Sequence, residues 1–327
     1  MKVKIDSIGS YVPEKRISNN ELAKTVDTSD EWIRSHTGIG NRHLASEDEA
    51  TSDLAIEAAK SAIKMAGIDV QDIGMIILAT ATPDYLGFPS TSCIVQEALG
   101  IKQCGAFDIS AGCTGFVYGL EIGRSMVAAG SAKHILVIGV ETLSKIVNWK
   151  DRNSCVLFGD GAGAVLLSAA EEDEQSGFID SILGSEGSGA TSLIRQAGGS
   201  RHPYTPETPE EEFFLSMDGR KVYNFAVRVN TEMLKTILER NKVTPDDLSW
   251  VVPHQANVRI IQAAAGRLGL SLDKFFLNIE EYANTSAASI PIALHQLYLS
   301  GKLNRGDLLL FMGFGAGLTY GANLLRW

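Results

Sequence analysis

The sequence predicts an α/β protein made of two similar halves. Three observations carry this. Strand-like and helix-like runs alternate from end to end. Three segments recur in the same order about 175 residues further on. Of the 327 residues, 45% are hydrophobic and 21% charged, enough for a sizeable core and far from a disordered composition.

The elements follow in order. "MKVKIDSIGSYVP" alternates like a strand and lacks the apolar centre of a signal peptide. "AIEAAKSAIKMAG" has helical spacing and stops at Gly67. "GMIILAT" and "AFDIS" read as short buried strands. "TGFVYGLEIGRSMVAAG" is a helix stopped at Gly130, and "HILVIGVE" is a strand. Strands this apolar belong to a sheet covered by helices on both faces.

Then the pattern repeats. "VQDIGMIILATATPD" from Val70 resembles "TPDDLSWVVPHQAN" from Thr244. "SAGCTGFVYGL" aligns with "SAASIPIALHQL", and "AKHILVIGVE" with "RGDLLLFMGFG". Each pair is weak alone, but their shared order argues for duplication, with halves at 1–172 and 173–327 and a site at their junction. "RHPYTPETPEEEF" (Arg201 to Phe213) holds three prolines and an acidic run, so it reads as an exposed connection or a lid.

Charge and cysteine usage narrow the function. A net charge of −10 argues against general nucleic-acid binding and requires any acidic partner to dock on a local basic patch. None of the four cysteines, Cys93, Cys104, Cys113 and Cys155, forms a C-x-x-C pair, which disfavours zinc, and their low density fits a reducing compartment. No apolar run approaches the roughly 20 residues of a membrane helix. The expectation is a soluble cytoplasmic protein without membrane insertion.

Cys113 stands in "DISAGCTGF", between a strand and a helix. Unpaired N–H groups and the positive end of the helix favour a thiolate there. A buried core cysteine fits the same surroundings. His254, in "VVPHQAN", follows an apolar strand. Asn284, in "NTSAASIP", stands at the turn that matches the cysteine turn. Each has a plain structural reading, a carbonyl-bound histidine and a helix-capping asparagine. Their matched positions in the two repeats would bring the three turns together. Cys, His and Asn then form a set suited to thioester chemistry, one nucleophile with two hydrogen-bond donors.

These motifs, with "FGDGAGAV", "GFGAGLTYGANLLRW", "YVPEKRISN" and "DEWI", resemble the β-ketoacyl-acyl carrier protein synthase III family over essentially the whole chain. The resemblance implies a thiolase-like five-layer αβαβα sandwich in a homodimer. It implies the initiating step of type II fatty acid synthesis: Cys113 takes an acyl group from acyl-CoA, and malonyl-acyl carrier protein loses carbon dioxide and attacks the thioester. It further implies that His254 and Asn284 hold the enolate, that the backbone N–H groups of Cys113 and Ala316 form an oxyanion hole, and that no metal, pyridoxal or flavin takes part. Runner-up readings are a same-fold acyltransferase, a polyketide or quinolone-type condensing enzyme with another acceptor, and a non-catalytic binding protein.

Substrate contacts come from the same resemblance. Trp32 and Arg152 grip the adenine of coenzyme A, and Asn257 lies near the pantetheine arm. "WIRSHTG" has His36 where the family has Arg, with Arg34 nearby, so the phosphate contact there is open. Arg220 stands where Asn is common and offers a further phosphate contact. Phe88, in "LGFPSTSC", crosses to the partner's acyl pocket; its plain reading is a core aromatic. Arg259 and Arg267, close to one face of the helix after His254, dock the carrier protein, although Asn224 replaces a common further Lys. "GDGAGA" leads into a strand, so it is a turn and not a dinucleotide site.

Overall fold

In the computed structural model, which describes residues 1–327, the chain opens on β1 (Val3–Tyr11). A small excursion follows: β2 (Arg16–Ser18), α1 (Asn19–Leu22), α2 (Asp30–Thr37) and β3 (Asn41–His43). The rest of the first half is α3 (Thr51–Ala66), β4 (Ile73–Ala79), α4 (Thr91–Ala98), β5 (Gly105–Ile109), α5 (Gly115–Ala128), β6 (His134–Glu141), α6 (Arg152–Cys155) and β7 (Gly161–Ala169). Its sheet runs β1-β7-β6-β4-β5, with β4 parallel to both β5 and β6 and the rest antiparallel.

The second half begins with β8 (Gly177–Ser185) and a hairpin, β9 (Leu193–Arg195) with β10 (Leu215–Met217). Then come α7 (Gly219–Asn241), β11 (Trp250–Pro253), α8 (Val258–Leu268), α9 (Ile279–Tyr282), α10 (Ser289–Leu299), β12 (Leu308–Gly315) and β13 (Thr319–Arg326). The sheet order β11-β12-β13-β8 repeats the first sheet strand for strand. The fifth position is reduced to one bridge between Val251 and Phe275. The repeated segments of the sequence coincide with these equivalent elements.

Five layers result. α3 covers the outer face of the first sheet, and α7 and α8 cover that of the second. α5 and α10 lie between the sheets, packed on both. Their composition explains this: α5 buries Phe116, Val117 and Leu120, and α10 buries Ile290, Ala293, Leu294 and Leu297, in one cluster with Ile77, Val137, Val252 and Phe311 from the two sheets. Each of the larger of these side chains contributes about 1.5–3 kcal/mol on burial. The ends of β5, β6, β11 and β12 all open toward the same junction, where the functional turns lie.

The segment read as a connection or lid divides in two. Its acidic stretch, with the short turn Glu210–Phe213, is largely exposed, while the β9–β10 hairpin that carries it is half-buried and faces the junction.

Candidate active site

Cys113 sits in the single turn Gly112–Thr114 between β5 and α5 and is 8% exposed. The turn is pressed against the Gly315–Ala316 turn after β12. Gly112 has φ +54°, and a Cβ there would lie 2.9 Å from the Ala316 nitrogen. A Cβ on Gly315 would lie 2.6 Å from the Cys113 nitrogen. Only glycine fits either place. Thr319 Oγ1 closes the pair, within 2.9 Å of the Ala111 carbonyl and 3.0 Å of the Ala316 carbonyl.

The backbone N–H groups of Cys113 and Ala316 therefore converge on the sulfur, where both favour negative charge. The expectation that the helix end holds Cys113 as a thiolate is corrected by its burial. Desolvation dominates, and the thiol is pushed up to about 12 despite the Ser286 side chain and the two amides. The resting group is a thiol with donors already in place for an anion.

His254 follows β11 and is 1% exposed. Its N–H donates to the Met312 carbonyl at 2.7 Å, which ties it to β12. Nδ1 lies 2.7 Å from Ser289 Oγ, the first residue of α10. Ser289 Oγ also accepts from the Gln255 N–H at 3.4 Å; when it gives its own proton to Nδ1, the ring carries its proton on Nε2. Burial pushes the imidazole down to about 3, and it is neutral.

Asn284 is 7% exposed and bound at both backbone ends, donating to the Leu157 carbonyl and accepting from Gly159 N–H. Its Oδ1 accepts from Ser286 N–H at 2.9 Å. That leaves the amide NH2 free to donate. Its neighbours Ala283 and Ser286 have φ +56° and +48°, a left-handed backbone costing of order 1–3 kcal/mol each.

The structure brings the three predicted residues together. Cys113, His254 and Asn284 line one cavity of about 170 Å³, with Phe314, Leu157 and Ile260 among its mostly apolar walls. Asn257 lines it too, while capping α8: its Oδ1 accepts from Arg259 N–H at 2.9 Å and its Nδ2 donates to the His36 carbonyl at 3.0 Å. Leu193, Met217, Val222 and Tyr223 line it as well. Sequence reading missed these four, because β9, β10 and the start of α7 carry no chemical motif.

At the rim, His36 stacks on Trp32, centroids 4.4 Å apart, and the Arg152 guanidinium lies 5.0 Å from the Trp32 ring centre. A purine between the last two needs about 7 Å, two contacts of roughly 3.5 Å each. Arg152 must therefore swing out to admit one. Arg34 points elsewhere, paired with Asp30 at 2.9 Å and Glu280 at 2.6 Å. Arg220 is exposed beside Gly219, which lines the cavity. Arg259 is exposed at the start of α8, its Nε donating to the Ser35 carbonyl, and Arg267 is exposed in the last turn. Phe88 is 88% exposed, which removes the reading as a core aromatic, and it is absent from its own chain's cavity.

Comparisons with known proteins give the family. Residues 107–187 match the family described as 3-oxoacyl-[acyl-carrier-protein (ACP)] synthase III, and residues 238–327 match its C-terminal part. The beta-ketoacyl-[acyl-carrier-protein] synthase III of Caldanaerobacter subterraneus subsp. tengcongensis is 50% identical, over 98% of this chain and 96% of that protein. The protein of that name from Solibacter usitatus is 47% identical, over 100% and 99%. A crystal structure of 3-oxoacyl-[acyl-carrier-protein] synthase III from Aquifex aeolicus superposes with a TM-score of 0.91 at 45% identity, over 99% of this chain and all of that one.

Proposed function

The chain belongs to the 3-oxoacyl-[acyl-carrier-protein] synthase III family, the initiating condensing enzymes of fatty acid synthesis, and from this premise we propose how its residues divide the reaction. The family relation disfavours the other acceptors and the non-catalytic reading. Its substrates are an acyl-CoA and malonyl-acyl carrier protein. The observation that carries the reading is the convergence of Cys113, His254 and Asn284 on one apolar cavity.

In the first half-reaction Cys113 attacks the acyl-CoA carbonyl, and the oxyanion is held by the N–H groups of Cys113 and Ala316. One such donor contributes about 2.7–4 kcal/mol. In the second, malonyl-acyl carrier protein loses carbon dioxide and an enolate forms. His254 Nε2–H and the free Asn284 amide are the donors for its oxygen. The carbanion then displaces the Cys113 sulfur to give 3-oxoacyl-carrier protein. Neutral His254 suits this role, because a donor that stays neutral needs no proton to begin. The thioester itself supplies the electron sink, so this route calls for no metal, pyridoxal or flavin.

Trp32 and Arg152, once parted, hold the adenine; Asn257 borders the pantetheine path; Arg220 offers a phosphate contact. His36 rather than Arg34 takes the place of the usual Arg, as a stacking partner of Trp32. Arg259, nearer the cavity, and Arg267, about 12 Å further along α8 by helical rise, form the carrier-protein patch. The homodimer is supported by the exposed cluster of Tyr85, Leu86 and Phe88 beside the open edge strand β5. No helix is long and apolar enough to cross a membrane, and we read the enzyme as cytoplasmic.

Separating the half-reactions tests this division. Asn284→Ala should still take the acyl group but lose malonyl decarboxylation by roughly 100-fold or more. His254→Ala should behave likewise, with some loss of acylation. Equal loss of both steps in Asn284→Ala would contradict it.

A further inference from the structure

Glu141 is a fully buried carboxylate at the end of β6 that the mechanism above leaves unused. Its partners are all neutral donors. Thr82 Oγ1 donates at 2.6 Å, Thr80 Oγ1 at 3.3 Å, the Ala81 N–H at 3.1 Å, and Ser286 Oγ at 3.0 Å. A carboxylate buried without a cation is costly and is retained only where something compensates. The place is telling. Ser286 is two residues from Asn284, and its turn, Ser286–Ala288, packs against the Gly112–Thr114 turn that carries Cys113. Gly139 on β6 makes the contact close, since a Cβ there would lie 2.3 Å from the Ala287 carbonyl oxygen.

Neither neighbouring titratable group in the cavity is poised to take a proton. Cys113 is a thiol at rest, and His254 is pushed down to about 3 with Nδ1 engaged by Ser289. Attack on acyl-CoA must shed the Cys113 proton.

We propose that Glu141, acting through the Ser286 hydroxyl, receives the proton of Cys113 during acylation, holds it while the acyl-enzyme exists, and returns it when condensation releases the sulfur. This rests on the reading of Cys113 as the acyl-accepting nucleophile. As the sulfur bonds to the acyl carbon, the thiol proton moves to Ser286 Oγ and the Ser286 proton moves to Glu141 Oε1. The carbon–sulfur bond to coenzyme A breaks, and its thiolate leaves and is protonated by water. Later the malonyl-derived carbanion bonds to the acyl carbon, and the Cys113 sulfur departs with the electron pair. It takes back a proton along the same path, leaving Glu141 ionised. One solvent proton is consumed per turnover, the one on coenzyme A.

Burial pushes Glu141 up to about 7, in the range that suits a proton acceptor at neutral pH. The titratable groups around it are Cys113 across Ser286, Asp160 next to the strand pair of β6 and β7, and His254 in the cavity. The Asp160 carboxylate is turned to Ser144 and the Ala45 N–H. None is a cation that would hold Glu141 ionised.

The test is the pH profile of Cys113 acylation by acetyl-CoA and isobutyryl-CoA, read by quenched intact mass between about pH 5 and 9. Wild type, Glu141→Gln, Glu141→Asp and Ser286→Ala are compared, each checked for folding by circular dichroism. The proposal predicts a wild-type limb near neutrality, roughly 100-fold slower acylation in Glu141→Gln with that limb gone, and similar slowing in Ser286→Ala. Glu141→Asp should recover part of the rate. Malonyl decarboxylation in Glu141→Gln should fall by much less than acylation does, since Asn284 and His254 remain. Wild-type rate and profile in Glu141→Gln would overturn the proposal. So would equal slowing of acylation and decarboxylation with the limb retained, which marks a brace. If Glu141→Gln does not fold, Ser286→Ala decides, and a wild-type profile there overturns it. A wild type that takes no acyl group removes the Cys113 reading first, and this proposal with it.

Discussion

His254 illustrates how burial sets chemistry at single residues. It is enclosed, bonded at Nδ1 to Ser289, and pushed down to about 3. The folded pKa lies below the ordinary value of 6.5, so the unfolded chain binds the extra proton first as pH falls. Stability is full above about 6.5 and declines toward about 3, and His254→Asn should lessen that acid sensitivity in thermal melts. By the same reasoning malonyl decarboxylation should show no limb from His254 between about pH 5 and 8. A limb near 6.5 that vanishes in His254→Asn would mean that the ring titrates in water. Cys113 shows the opposite side of burial. Its place before α5 was legible from "SAGCTG", but its burial is set by the whole fold, and the Ser286 and Ala316 donors and the Glu141 charge that act on it are all distant in sequence. A local reading of the helix end therefore gave the wrong ionisation. Ser286, Ser289 and Glu141 were missed for the same reason: a serine or glutamate acquires meaning here only from what is folded against it.

At the scale of elements, two turns make the centre. Gly112→Ala adds a Cβ 2.9 Å from the Ala316 nitrogen, at a φ of +54°. It should cut Cys113 acylation by about 100-fold or more, the scale of losing one oxyanion donor, while α5 and the global fold persist. Near-normal acylation in that variant would show that the two turns need not touch. Helix α8 belongs to the same scale. Arg259→Glu reverses a charge beside the cavity, so the KM for malonyl-carrier protein should rise several-fold and self-acylation by acyl-CoA should not change. The wild-type KM should also rise with salt, as screened charges require. A KM indifferent to both would place docking elsewhere. The strands and helices themselves were readable, because β4, β6, β11 and β12 are apolar runs and α3 has clear helical spacing and a glycine stop. The β9–β10 hairpin was not, because its short strands carry pocket-lining residues without periodicity.

At the scale of the whole molecule, duplication was visible as three weak matches, and the two sheets share one strand order. What one chain leaves open is the surface around Phe88 and β5. Sedimentation should give the mass of two chains, and Phe88→Asp should shift it toward one and lower turnover. A fully active monomer would refute the homodimer. The central claim is that this architecture makes Cys113 the acyl acceptor of an initiating condensing enzyme. The most direct measurement is intact mass after incubation with a panel of acetyl-, branched and longer acyl-CoAs. The account predicts a single acyl adduct, mapped to Cys113, absent from Cys113→Ala, and discharged as 3-oxoacyl-carrier protein when malonyl-carrier protein is added. No adduct from any acyl-CoA, or one that persists in Cys113→Ala, would contradict it.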